Sequence, residues 1–258
     1  MATHPLSSAS TDDPPTFEVR NVGLAAPFSW LKAGIHTFAA TPGYSLLYGA
    51  LFALACLGTV VITRHLPWLT ITFLTSLMLI GQYLAAGLYP AAEQHRQGQR
   101  ISIRAALDQL RGRATNLAFF ALFLGLVMAA WVRLSSLLFA FMFTTLSPPI
   151  DGFLGIFSGQ ADPVVLGFFF IIGFVLALTV FVCSAVAVPL IVDRDQNPVT
   201  AIVVSTRAVN RNWPAMVLWA ALITAATLIG ILTAFVAMLV IFPILGYATW
   251  HSYRALVT

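Results

Sequence analysis

PGYSLLYGALFALACLGTVVITRHLPWLTITFLTSLMLIGQYLAAGLYP, residues 42–90, decides the fold. It contains two apolar runs, Tyr44–Ile62 and Trp68–Leu88, marked off by Pro42-Gly43, by Arg64 and Pro67, and by Pro90. A helix needs about 20 mostly apolar residues to cross roughly 30 Å of hydrocarbon. Both runs have that length, and the short polar turn between them predicts a tight pair of spanning helices.

The rest of the chain repeats the pattern on both sides of this pair. A third run, Asn116 to Phe143, is too long for one crossing and carries Arg133. The predicted crossing is 116–134, with Arg133 snorkelling to the far interface and Ser135–Ser158 forming an apolar, proline-broken segment on the outer face. A fourth run, Val164–Leu190, ends at Pro189 and the cluster Asp193-Arg194-Asp195. From Ala215 to Trp250 the chain is apolar throughout and reads as two further helices turning near Gly230, where glycine costs a helix most. The predicted spans are therefore 44–62, 68–89, 116–134, 164–190, 215–231 and 233–252.

Charge fixes the orientation, because cytoplasmic loops collect Lys and Arg. With six helices and an inside N-terminus, all of the thirteen Lys and Arg except Arg64 and Arg133 fall inside. A five-helix chain would place Arg254 on the wrong side. The expected location is a bacterial inner membrane, with both termini cytoplasmic.

Composition supports this class. Of the 258 residues, 59% are hydrophobic and only 9% charged, against about a quarter charged in a soluble domain. The length suits one membrane domain, 20–258, after a disordered cytoplasmic tail at 1–19 that has no Lys, no apolar core and so no cleavable signal. The net charge of +4 sits in short loops beside apolar runs, so it reports topology rather than nucleic-acid binding. Cys56 and Cys183 lie inside apolar runs and read as small hydrophobes.

A short amphipathic segment precedes the first, third and fifth spans. The first, Trp30–Pro42, groups Phe28, Leu31, Ile35, Phe38 and Ala39 on one face with Lys32 and His36 off it. The second, Ser102–Asn116, groups Ile103, Ala106, Leu107, Leu110 and Ala114. The third, Asn197–Pro214, opens with Asn-Pro, an N-cap followed by proline in the first turn. The expected fold is an all-α membrane protein of six transmembrane helices arranged as three hairpins, each preceded by a cytoplasmic interfacial helix. Basic residues on such helices, Arg104, Arg111, Arg113, Arg207 and Arg211, are candidate contacts to anionic lipid, each worth about 1 kcal/mol at the surface.

Chemistry leaves few marks. No Asp, Glu or Lys falls in mid-span, which disfavours an ion-coupled pump. His4, His36, His65, His95 and His251 lie in the tail or near interfaces, so no cofactor or metal site is expected. No nucleophile or metalloprotease motif is present. The most polar aromatic cluster combines Asn210, Asn212 and Trp213 with Trp250, His251, Tyr253 and Arg254, two groups expected to meet on one membrane face as an anchor belt or a ligand site.

The run PGYSLLYG at 42–49, the pattern from Ala201 to Asn212 and the ending FPILGYATWHSYR at 242–254 resemble the bacterial integral membrane family known as domain of unknown function 2189. The resemblance covers about residues 20–254 and implies location and architecture, without a reaction. Some relatives are labelled as linked to an oxidase subunit, for which this sequence lacks the intramembrane histidines. The expected role is a non-enzymatic scaffold, assembly or lipid-interacting component whose partners are membrane lipids and an unidentified membrane protein. A transporter or channel for an apolar or zwitterionic solute is the alternative. An enzyme acting on lipid headgroups through His251, Tyr253 and Arg254 is the third reading.

Overall fold

The last helix described packs along the first two and against the middle of the chain. The computed structural model describes residues 17–142 and 163–258, and their regular structure is helical apart from an isolated bridge between Val19 and Val257. In chain order the helices are α1 (Ala26–Ala40), α2 (Pro42–Thr63), α3 (Pro67–Leu84), a 3₁₀ turn (Ala85–Leu88), α4 (Tyr89–Arg96), α5 (Ile103–Gly112) and α6 (Ala114–Met142). They continue as α7 (Pro163–Ser184), α8 (Ala187–Arg194), α9 (Pro198–Arg211), α10 (Trp213–Leu232) and α11 (Met238–Leu256).

The three short amphipathic segments form α1, α5 and α9, and each joins the next helix through a single residue. Thr41 (φ −132°, ψ 47°), Arg113 (−105°, 6°) and Asn212 (−118°, 30°) share one backbone shape. In each, the N–H bonds back to the carbonyl three residues earlier and the carbonyl accepts from the residue four later. Pro42 and Pro214 have no N–H to continue the preceding helix, and their φ suits the first turn of the next. Ser102 and Asn197 cap α5 and α9 by accepting from the N–H groups of Ala105 and Thr200.

α11 packs most extensively on α1 and then on α2. The contact follows a stripe of small residues spaced three or four apart, Gly34, Thr37, Thr41, Ser45 and Gly49, which lets backbones approach closely. A Cβ on Gly34 would stand 2.6 Å from the Ile244 carbonyl oxygen. Phe52 stacks on Phe242 at 4.0 Å, and Tyr89 on Trp250 at 5.7 Å. In the stripe, the Tyr247 hydroxyl sits 3.1 Å from Thr41 Oγ1 and 2.9 Å from Ser45 Oγ, so the buried polar groups satisfy one another.

Several expectations change. The run from 116 does not stop at 134: α6 continues as one helix past Arg133 to Met142. Residues 143–158 of the expected outer segment lie outside the described residues. The turn expected near Gly230 comes three residues later, at 233–237, where Ala234 (φ 50°) and Phe235 (φ 66°) are left-handed. Gly230 serves packing instead, since a Cβ there would fall 2.2 Å from Met238 Cε. The tail expected over 1–19 lies outside the described residues up to 16, and its end is ordered: Val19 bridges Val257, and Arg20 N–H donates to the Leu256 carbonyl at 2.9 Å.

The face of α1 is also reversed. Pro27, Trp30, Gly34 and Thr37 are buried, whereas Phe28 and Ile35 of the expected apolar face are about half exposed, at 55% and 48%. Ile103 and Leu107 of α5, and Val199 and Val203 of α9, are likewise exposed.

Candidate functional site

The polar groups of the protein collect at the end of the bundle where residues 17–22 lie against the C-terminus. Asn212, buried at the α9–α10 elbow, accepts from Val22 N–H at 2.8 Å through Oδ1 and donates to the Arg20 carbonyl at 2.9 Å through Nδ2. Its amide thereby holds the N-terminal segment as a neighbouring strand would. Arg211 Nε donates to Asn21 Oδ1 at 2.7 Å.

On the other side Asp193, at the end of α8, accepts from the Tyr253 hydroxyl at 2.6 Å and from Arg254 at 3.3 Å, with Arg194 Nε at 3.6 Å. Arg113 reaches Asp195 at 3.0 Å, and Asn116 donates to the same carboxylate at 3.0 Å. The two groups of the cluster thus share one end of the molecule, linked through residues 18–22.

The seven cluster residues separate by role. Asn210 and Trp213 are exposed, Trp213 at 64%, and the latter suits an interfacial anchor. Trp250 and Tyr253 are fully buried and pack on each other at 5.4 Å, so they belong to the core. Of the candidate lipid contacts, Arg113 and Arg211 are committed to Asp195 and Asn21. Arg111 pairs loosely with Asp108 at 3.6 Å, while Arg104 and Arg207 stand exposed without an ion pair among the described residues.

His251 leads to a group that sequence spacing does not reveal. Its Nε2 is 3.0 Å from Thr37 Oγ1, and it borders a cleft of about 430 Å3 lined by Ser29, Lys32, His36, His95 and Arg96. Three histidines from α1, α4 and α11 therefore share one opening. The only advance signal is the spacing of Ser29, Lys32 and His36 at one helical face. Arg96 is fixed by Glu93, to which it donates through both Nε and an η nitrogen. Among the described residues no set of three or more His, Cys, Asp or Glu is arranged to hold a metal ion.

Among the described residues five helices, Pro42–Thr63, Leu69–Arg96, Ala114–Leu138, Gly167–Arg194 and Trp213–Leu232, are long and apolar enough to cross a membrane. Most of their surface faces outward, as it must where lipid replaces water. The chain is an integral membrane protein whose described residues form several candidate membrane-spanning helices.

Residues 69–193, α3 through α8, match the family described as "Predicted integral membrane protein (DUF2189)". The match covers neither the 42–49 run nor the 242–254 ending that carry the resemblance in the sequence. No curated protein and no solved structure matches the chain.

Proposed function

We propose that this protein is a non-enzymatic, lipid-interacting scaffold or assembly component of a bacterial inner membrane, crossing it six times with both termini cytoplasmic. The lipid reading is carried by α1, α5 and α9. Each turns apolar side chains outward (Phe28 and Ile35, Ile103 and Leu107, Val199 and Val203) while Lys32, Arg104 and Arg207 stand on the same short helices. A helix with an exposed apolar face and basic flanks binds an anionic membrane surface in its plane.

The pairing of Val19 with Val257 supports the topology. Two segments hydrogen-bonded to each other lie on one side of a membrane, and a chain that starts and ends on one side crosses an even number of times. With five spans apolar enough by themselves, α11 supplies the sixth. The close backbone contact of α1 and α2 with α11 supports a packed scaffold over a channel.

The test is purification in nanodiscs from native expression, with mass spectrometry of co-purifying proteins and lipids. An enriched anionic lipid or a stoichiometric protein partner is expected. A protein that arrives alone and binds anionic and neutral liposomes equally overturns the reading. For topology, single cysteines at Thr258 and at His65, in a chain lacking Cys56 and Cys183, should label from opposite faces.

A further inference from the structure

We propose that the cleft between α1, α4 and α11 is a binding site for the phosphodiester headgroup of an anionic membrane lipid, an assignment that rests on the lipid-interacting reading above. α1 presents three stripes, each shifted by one residue. Pro27, Trp30, Gly34 and Thr37 are buried, the last two against α11. Phe28, Leu31 and Ile35 form an apolar stripe, with Phe28 and Ile35 about half exposed. Ser29, Lys32 and His36 form a polar stripe that opens into the cleft beside His95, Arg96 and His251. Successive residues on a helix are rotated by about 100°. The polar stripe that would hold a headgroup therefore adjoins the apolar stripe along which acyl chains would lie. A soluble anion needs only the first of these; a phospholipid uses both.

The charges set the ligand's own charge. Glu93 neutralises Arg96 and points its guanidinium, through bonds at Nε and one η nitrogen, so that the other η nitrogen remains for a second acceptor. Arg254 is drawn away to Asp193. Among the described residues Lys32 has no ion pair, and the ring nitrogens of His36 and His95 have no hydrogen-bond partner. One unbalanced fixed positive charge thus faces the cleft, surrounded by imidazole, hydroxyl and guanidinium donors. This matches a monoanionic phosphodiester with its two unesterified oxygens. Thr37 holds His251 at the back of the cleft.

The experiment is native mass spectrometry and lipid exchange on the full chain in nanodiscs of phosphatidylcholine containing phosphatidylglycerol. Wild type is compared with the double variant Lys32→Gln/His95→Gln and with the variant Arg104→Glu/Arg207→Glu. Lys32, His95, Arg104 and Arg207 are exposed, so the fold is retained, and an unchanged thermal midpoint checks it. Wild type is expected to hold phosphatidylglycerol in preference to phosphatidylcholine, with at least a tenfold loss of that preference in Lys32→Gln/His95→Gln. Loss only in Arg104→Glu/Arg207→Glu overturns the cleft while leaving the lipid-interacting reading standing. No lipid preference in wild type overturns both. Equal displacement of the bound lipid by millimolar inorganic phosphate and by sn-glycerol-3-phosphate, with no dependence on the acyl chains, overturns the lipid source and assigns the cleft to a soluble phosphate.

Discussion

Gly49 of α2 lies against the backbone of Leu239 so closely that a Cβ on it would stand 2.0 Å from the Leu239 carbonyl oxygen. The obstacle is main chain and cannot swing aside. Gly49→Ala should therefore force α2 and α11 apart and cost about 1–3 kcal/mol, as overpacked cores do. Gly58, on the same helix with nothing within 4 Å of its would-be Cβ, is the control. Thermal unfolding in detergent should show a lowered midpoint for Gly49→Ala and none of that loss for Gly58→Ala.

Asn212 ties residues 20–22 to the elbow with both halves of its amide. Asn212→Asp keeps the acceptor for Val22 N–H but removes the donor to the Arg20 carbonyl. Breaking a buried hydrogen bond costs about 1–3 kcal/mol, enough to free the segment without unfolding the bundle. Limited trypsin digestion should cut after Arg20 at least several-fold faster in the variant, and an unchanged cutting rate would refute the clamp.

Tyr253 donates its hydroxyl to Asp193 in a fully buried position. Hydrogen bonds to charged groups are worth about 1.5–3 kcal/mol, so Tyr253→Phe should destabilise by that order. Asp193→Ala should cost more, because Tyr253 and Arg254 both lose their acceptor. Comparing the double variant with the two singles measures the coupling directly.

Ala234 is exposed and holds φ at 50° in the α10–α11 turn. A left-handed non-glycine residue costs about 1–2 kcal/mol. Ala234→Gly should raise the thermal midpoint, whereas Ala237→Gly, placed before α11 at φ −64°, should not.

Much of this fold is legible in the sequence. Proline and charge mark both ends of α2 and the starts of α3 and α10, and the Asn-Pro start of α9 is where it was expected, whereas Pro90 does not end the second run but opens α4. Hydropathy also gives α11, as the expected span 233–252, but not its packing against α1 and α2. Its stretch GYATWHSYR carries polar and aromatic groups that a lipid-facing helix would not tolerate, and they occur because the helix is surrounded by protein. The same cause inverts α1: apolar residues mark the outward face, while glycine and threonine mark the face turned to α11. In water the hydrophobic face points inward; in a bilayer close packing and small residues decide instead. The shared cleft of His36, His95 and His251 was hidden for a different reason. Its members are separated by 59 and by 156 positions along the chain, and only the central placement of α11 brings them to one place.

That placement also has a meaning in time. A ribosome delivers α1 and α2 to the membrane long before it has made residues 238–256, and the hydroxyls of Thr41 and Ser45 then lack Tyr247 as their partner. The early helices must wait in lipid with a notched, half-polar side uncovered until α11 arrives, and the strand-like pairing of Val19 with Val257 can close only once Val257 has been made. A chain in which α11 has not yet docked therefore differs from the folded one by that uncovered side of α1 and α2.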